Sequence, residues 1–208
     1  MNLHRLVEGL AAKYAEGDFK SEAAAAREEY LERGGKVFDD DAELFEARMA
    51  SFLEWYVIER PLAGGTQPVL RELEAGVGLP PEERRELAQL ATSHRSLFDL
   101  IGISGGLIEL EDVLGGARFA VSERRSTIGF TAGDVFEARL LSDGKSVVFG
   151  KTFLFHPRDA RDQVLDAVAA ALASGMSRQD VMFHLSRLHV RWHRYRHVPA
   201  ARIYAGEM

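Results

Sequence analysis

A chain of 208 residues with 46% hydrophobic and 28% charged residues has an ordinary globular composition, which excludes a disordered or fibrous protein and allows one large domain or two small ones. It holds no cysteine, which excludes a disulfide framework, an iron–sulfur cluster and a thiolate zinc site, so any metal would need His, Asp or Glu alone. The net charge of −6 is graded: residues 1–95 sum to −7, residues 96–158 to −1 and residues 159–208 to +2, so an acidic front and a basic tail either attract one another or face different partners.

Leu3, Leu6, Val7, Leu10 and Tyr14 recur at helical spacing, and the Ala- and Glu-rich Ser21–Glu32 stretch predicts a second helix ended by Gly34-Gly35. His4, Arg5, Glu8 and Lys13 interrupt the apolar positions of the first segment, unlike the unbroken core of a signal peptide. No window approaches the ~20 apolar residues of a membrane span. These features predict a cytoplasmic protein with no membrane partner.

Asp39-Asp40-Asp41 supplies an N-cap and favourable charge for a longer helix carrying Leu44, Phe45, Arg48, Phe52, Trp55, Tyr56 and Ile58, which stops at Pro61. Thr66–Ala75 and Pro81–His94 read as two further helices. From Ser96 the period changes to two. The runs 97–103, 107–113, 117–123, 134–141 and 147–155 are separated by Gly-Gly, Gly-Gly, Thr-Ala-Gly and Asp-Gly turns, which predicts five antiparallel strands in a small barrel of the OB or SH3-like kind. Beyond Pro157, Asp159 caps a helix running to about Ala173, and Ser177 caps a last helix reaching about His197.

Several constellations bear on chemistry. Gly102-Ile103-Ser104-Gly105-Gly106 fits the G-x-S-x-G nucleophile elbow, but that elbow needs a helix after the serine, and here a strand follows; a hairpin turn is the better reading. On the last helix, Val181, Leu185, Leu188, Trp192 and Tyr195 form a core stripe, and Arg187, Arg191 and Arg194 lie opposite. His189, His193 and His197 run along the flank, where histidines four apart can share a metal, yet no carboxylate completes the set and a polar shoulder is expected instead. The arginines, with Arg196, Arg202 and Tyr204 nearby, suit phosphates or a carboxylate-rich protein surface, or else pair internally with the acidic front half. In the barrel, Arg118, Arg124, Arg125 and Arg139 with Phe119, Phe130 and Phe136 suggest a single-strand groove, but Glu123, Asp134 and Glu137 interrupt the basic footprint.

The residues Phe52-Leu53-Glu54-Trp55-Tyr56-Val57-Ile58-Glu59-Arg60-Pro61-Leu62, Gly65-Thr66-Gln67-Pro68, Ser96-Leu97-Phe98 and Gly133-Asp134-Val135-Phe136-Glu137-Ala138-Arg139-Leu140 carry a resemblance. The stretch from about Asp41 to Asp166 resembles the uncharacterised bacterial helical-plus-barrel region of proteins that often end in a SEC-C zinc motif. The resemblance implies the architecture and no agreed activity. Its zinc does not transfer, because the chain lacks cysteine and a basic helical tail stands in that place.

The fold expected is therefore α+β: a helical region over 1–95, a five-stranded antiparallel barrel over 96–157, and a helical hairpin with a basic tail over 158–208. The function expected is a non-catalytic interaction or regulatory module. It would dock a macromolecular partner, a protein before a nucleic acid, through the barrel and through Arg187, Arg191, Arg194 and Arg196, with no catalytic residue, cofactor or metal. Two alternatives stand beside it. One is an enzyme of unrecognised type, a hydrolase or nucleic-acid-processing activity, using Asp134, His156 or Ser104; the other is a homo-oligomer with Trp55, Tyr56 or the last helix at a symmetric contact.

Overall fold

The computed structural model describes residues 3–37, 42–76, 78–122, 129–142 and 144–206. Asp39-Asp40-Asp41, Glu123, Arg124 and Arg125 lie outside them. Helices α1 (Leu3–Lys13), α2 (Lys20–Gly34), α3 (Ala42–Ile58), α4 (Pro68–Ala75) and α5 (Pro81–Ala91) come first, and Pro at the first turn of α4 and α5 presets the helical φ. Strands β1 (His94–Ser104), β2 (Leu107–Asp112), β3 (Arg118–Ser122), β4 (Val135–Ser142) and β5 (Val147–Phe155) follow. Helices α6 (Arg161–Ala173), α7 (Arg178–Arg194) and the short α8 (Ala200–Tyr204) end the chain.

Helix α3 buries side chains on nearly every face, including Phe52, Trp55, Tyr56 and Val57, as a helix at the centre of a bundle must. Around it pack Val7, Leu10 and Tyr14 of α1, Tyr30 of α2, Val69 of α4, and Leu87 and Leu90 of α5. Trp55 and Tyr56 are inside this core, which removes them from any symmetric contact between copies. Phe183, from α7, completes it, meeting Trp55 and Tyr30 edge-on at 5.6 Å.

The five strands pair in the order β1-β2-β3-β5-β4, and the order closes because β1 also pairs β4. Gly105 and Gly106, at φ 59° and 79°, turn β1 into β2 with Ser104 opposite Leu107; this is the hairpin expected, built on the positive φ that a two-residue turn demands. The expectation of an all-antiparallel sheet is corrected at one place, where β3 runs parallel to β5 through Val121 and Val147. Strand direction must alternate around an all-antiparallel ring, so the ring needs an even count of strands. Five strands leave one neighbouring pair pointing the same way. Inside lie Phe98, Leu100, Ile108, Leu110, Val121, Phe136 and Phe149. Outside, Leu97 and Val135 pack against Val164 and Val168 of α6, Val181 and Leu185 of α7, and Ile203 of α8.

A charged seam joins α3 to the sheet. The buried Arg139 of β4 donates to Glu54 at 3.0 Å, to Ser93 at 3.0 Å and to Glu59, while Thr152 donates to Glu54 at 2.9 Å. Arg95 of β1 donates from Nε to Glu137 at 2.7 Å and from Nη1 to Glu59 at 3.3 Å. Burial pushes the Glu59 carboxyl up, but Arg95 and Arg139 more than offset this and hold it below the usual carboxylate range. Glu54 and Glu59 of the acidic front half are thus matched by arginines of the sheet.

Several boundaries differ from expectation, and α6 begins after Ala160 with no side-chain cap from Asp159. The helix from Pro81 ends at Ala91, and His94 already pairs with Leu140 in β1. Helix α7 stops at Arg194, short of His197. Its core stripe fades at the same end, where Trp192 is half-buried and Tyr195 exposed. At its start, Ser177 caps it by accepting from the Asp180 amide at 3.2 Å, as expected.

Candidate functional site

At the end of β5, Phe153 and Phe155 stand on one face, two residues apart, with their rings nearly parallel at 6.1 Å. Phe130, from the connection before β4, crosses Phe153 at 74° and 5.8 Å and lies 5.6 Å from Phe155. Phe136 and Phe149 form the floor beneath. These rings open to solvent through a cleft of 290 Å³, completed by Gly129, Asp134, His156 and Arg158, and Phe155 remains 39% exposed.

On the polar rim, Asp134 and Arg158 satisfy one another. Asp134 is buried at the start of β4 and accepts from Arg158 Nε at 2.5 Å, Arg158 Nη2 at 3.0 Å and the Thr131 amide at 2.8 Å. His156, 5% exposed, donates its amide to Val135, and its Nδ1 lies 2.7 Å from the Tyr204 hydroxyl of α8. Its Nε2 is buried with no hydrogen-bond partner. Burial pushes the His156 imidazole down to about 3 and the Tyr204 hydroxyl up, so both are neutral at physiological pH.

The structure brings Asp134 and His156 into one cleft and leaves Ser104 outside it. Ser104 sits at the β1–β2 hairpin tip, five residues along β1 from Asp99, the partner of Val135, or on the order of 15 Å at ~3.3 Å per residue. An aspartate clamped by an arginine and a histidine that burial makes a weak base provide neither a nucleophile nor an effective general base.

A second cluster resembles a catalytic triad in composition. Asp112 accepts from Ser96 Oγ at 2.5 Å, from Arg178 at 2.8 Å and from the Leu114 amide at 2.9 Å, and His94 Nε2 lies 2.9 Å from it. Burial pushes the Asp112 carboxyl up, but these hydrogen bonds hold it below the usual carboxylate range. Serine and histidine both bind the carboxylate, so the histidine does not stand between acid and hydroxyl and cannot take the serine proton. The cluster ties the start of β1, the end of β2 and the first turn of α7 together.

The arginines of α7 have intramolecular contacts. Arg187 donates to the carbonyls of Glu32 and Arg33 at 3.3 and 2.9 Å, and Arg194 to that of Lys36 at 3.1 Å, at and just beyond the carbonyl end of α2. Arg196 donates to the His193 carbonyl at 3.3 Å, and Arg191 is half-buried. The basic tail therefore meets the front half through helix-end carbonyls, while Arg33 of α2 pairs with Asp180 of α7 at 2.8 Å with the charges the other way round. The polar shoulder expected of His189 is corrected. His189 is buried, packed edge-on to His156 at 5.8 Å, and burial, with His156, His193 and Arg48 adding to it, pushes its imidazole well below the ordinary range. Among the described residues no group of three or more His, Asp or Glu could hold a metal ion, and no helix is long and apolar enough to cross a membrane.

The sequence pattern set Phe130 and Phe136 beside the barrel arginines as a candidate single-strand groove and passed over Phe153 and Phe155. The Phe-x-Phe spacing at a strand end was the available signal, but spacing alone does not say which face the helices leave uncovered. No curated protein and no solved structure matches the chain. A family model does match, over residues 5–187 from α1 into α7, and the chain belongs to that family of unknown function, DUF7986.

Proposed function

We propose that the protein is a non-catalytic interaction module that docks a partner protein, chiefly through the aromatic cleft of β5 and secondarily through the arginine flank of α7. The observation that carries this reading is the solvent-open Phe130–Phe153–Phe155 cluster beside an Asp134–Arg158 pair that is already neutralised. The strand order, with β3 parallel to β5, is the wiring of an OB-type sheet, whose ligands cross strands 2 and 3. Here that face carries Glu109 and Glu111, and its Arg118 is 3.0 Å from Glu111, which disfavours a phosphate backbone. The resemblance to SEC-C-associated regions agrees with this architecture and names no partner.

Affinity purification from the native cell, with nuclease treatment, tests the reading. A co-purifying protein should survive nuclease, be lost with Phe155→Ser, and be weakened by Arg191→Glu with Arg196→Glu. Full retention by a folded Phe155→Ser variant would refute it.

A further inference from the structure

We infer that the group the cleft takes is a neutral aromatic side chain of a partner protein, one with a polar tip, as in tyrosine or tryptophan. This deepens the docking reading and rests on it. Size is the first argument. A space of 290 Å³ lies at the lower edge of the ~300–1,000 Å³ range of small-molecule sites, so it suits one ring-sized group better than a whole cofactor.

The walls are the second. Phe153 and Phe155 present nearly parallel rings at 6.1 Å, and Phe130 closes the side at 74° to Phe153. A further ring entering there meets both faces and edges at the spacings aromatic pairs prefer, an advantage a branched aliphatic chain does not share.

Charge is the third. Arg158 is matched by Asp134, and the neighbouring Arg161 by Asp99, so among the described residues the cleft has no surplus cation for a phosphate or carboxylate. A charged group would give up its hydration without a counter-charge. The cleft is open to solvent, so the indole N–H or phenol hydroxyl of such a side chain can stay hydrated at its mouth while the ring is buried. Tryptophan and tyrosine are also the residues that most often anchor protein interfaces.

The test is an amide-resonance titration of the full ¹⁵N-labelled chain with four probes: N-acetyl-tryptophanamide, N-acetyl-leucinamide, thymidine and a ten-nucleotide oligothymidine. The tryptophan probe should shift the amides of Phe153, Phe155 and His156 with a dissociation constant on the order of 1 mM. The leucine probe should bind about 2–10-fold more weakly, and neither thymidine nor the oligonucleotide should move these amides. Phe155→Ala, at a half-exposed position, should keep a dispersed spectrum and weaken the tryptophan probe about 10-fold. Equal binding of the leucine probe, or saturation by either nucleic-acid probe, would overturn the aromatic assignment while leaving the cleft a binding site. No shift of cleft amides by any probe at about 20 mM, or undiminished binding to Phe155→Ala, would overturn both the assignment and the docking reading.

Discussion

Arg48 gives the sharpest test of the packing described above. Its side chain is 2% exposed in the middle of α3, and it faces no carboxylate among the described residues. Nη1 meets Ser186 Oγ, the guanidinium carbon lies 4.6 Å over the Tyr30 ring, and Nε and Nη2 have no acceptor. The guanidinium also presses on the last residue of α2, where a Cβ at Gly34 would collide with Nη2. The ring contact is worth about 1–2 kcal/mol, and the carbonyl end of α2 about 0.3–1 kcal/mol. Against these stand two buried N–H groups at about 1–3 kcal/mol each, and the desolvation of a whole charge at several kcal/mol. Desolvation wins. Arg48→Met keeps the length and the apolar stem, and Ser186 can turn its hydroxyl to the Met182 carbonyl one turn back. The variant should gain about 1–3 kcal/mol, read as a rise of roughly 2–4 °C in Tm per kcal/mol for a chain of this size. Urea and thermal unfolding followed by circular dichroism measure it. A loss of more than about 1 kcal/mol would refute the reasoning, since it would mean that the charge is compensated.

Other expectations follow from the same contacts. His156 is neutral when folded, with its imidazole pushed to about 3, so its stability contribution is present above pH ~6.5 and drains as pH falls from there toward 3, at up to about 1.4 kcal/mol per pH unit. Unfolding at pH 7 and pH 5 should show a shallower loss in His156→Gln than in the parent, and equal losses would sink the assignment. Arg139→Leu should cost about 3–5 kcal/mol by stranding Glu54 and Glu59, whereas a cost under 1 kcal/mol would mean the seam is solvated. Reversing Arg187 and Arg194 to glutamate should lower stability by about 1–2 kcal/mol, because each would place an anion at the carbonyl end of α2. An unchanged Tm would return both residues to a purely partner-facing role.

The turns made the strands legible: Gly105-Gly106 and Gly115-Gly116 punctuate β1, β2 and β3 within one or two residues of expectation, because positive φ at glycine is a local property. Alternation in a strand says that two faces differ, not which neighbour covers each. Hence Leu97 and Phe98, adjacent in β1, serve different cores, and nothing in their order foretells it. The parallel pair was derivable by counting strands, once closure was assumed. The burial of His189 could not be read, since a polar residue on a helix flank reads as surface until the packing of α7 between two layers is known. The aromatic cleft depends on Phe130 returning to β5 across a loop, a tertiary fact.

Phe183 has a consequence in time. The front bundle, all of whose helices end by Ala91, lacks one wall of its core until a residue of α7 arrives. At ~5–20 residues per second, the ribosome takes about 6–25 s to travel from Ile58 to Phe183. Throughout that interval Trp55 and Tyr30 are left without their edge-on partner. The nascent chain therefore carries an incomplete helical core through most of its synthesis, and a ribosome stalled within the strands would present an unfinished helical bundle rather than a finished domain.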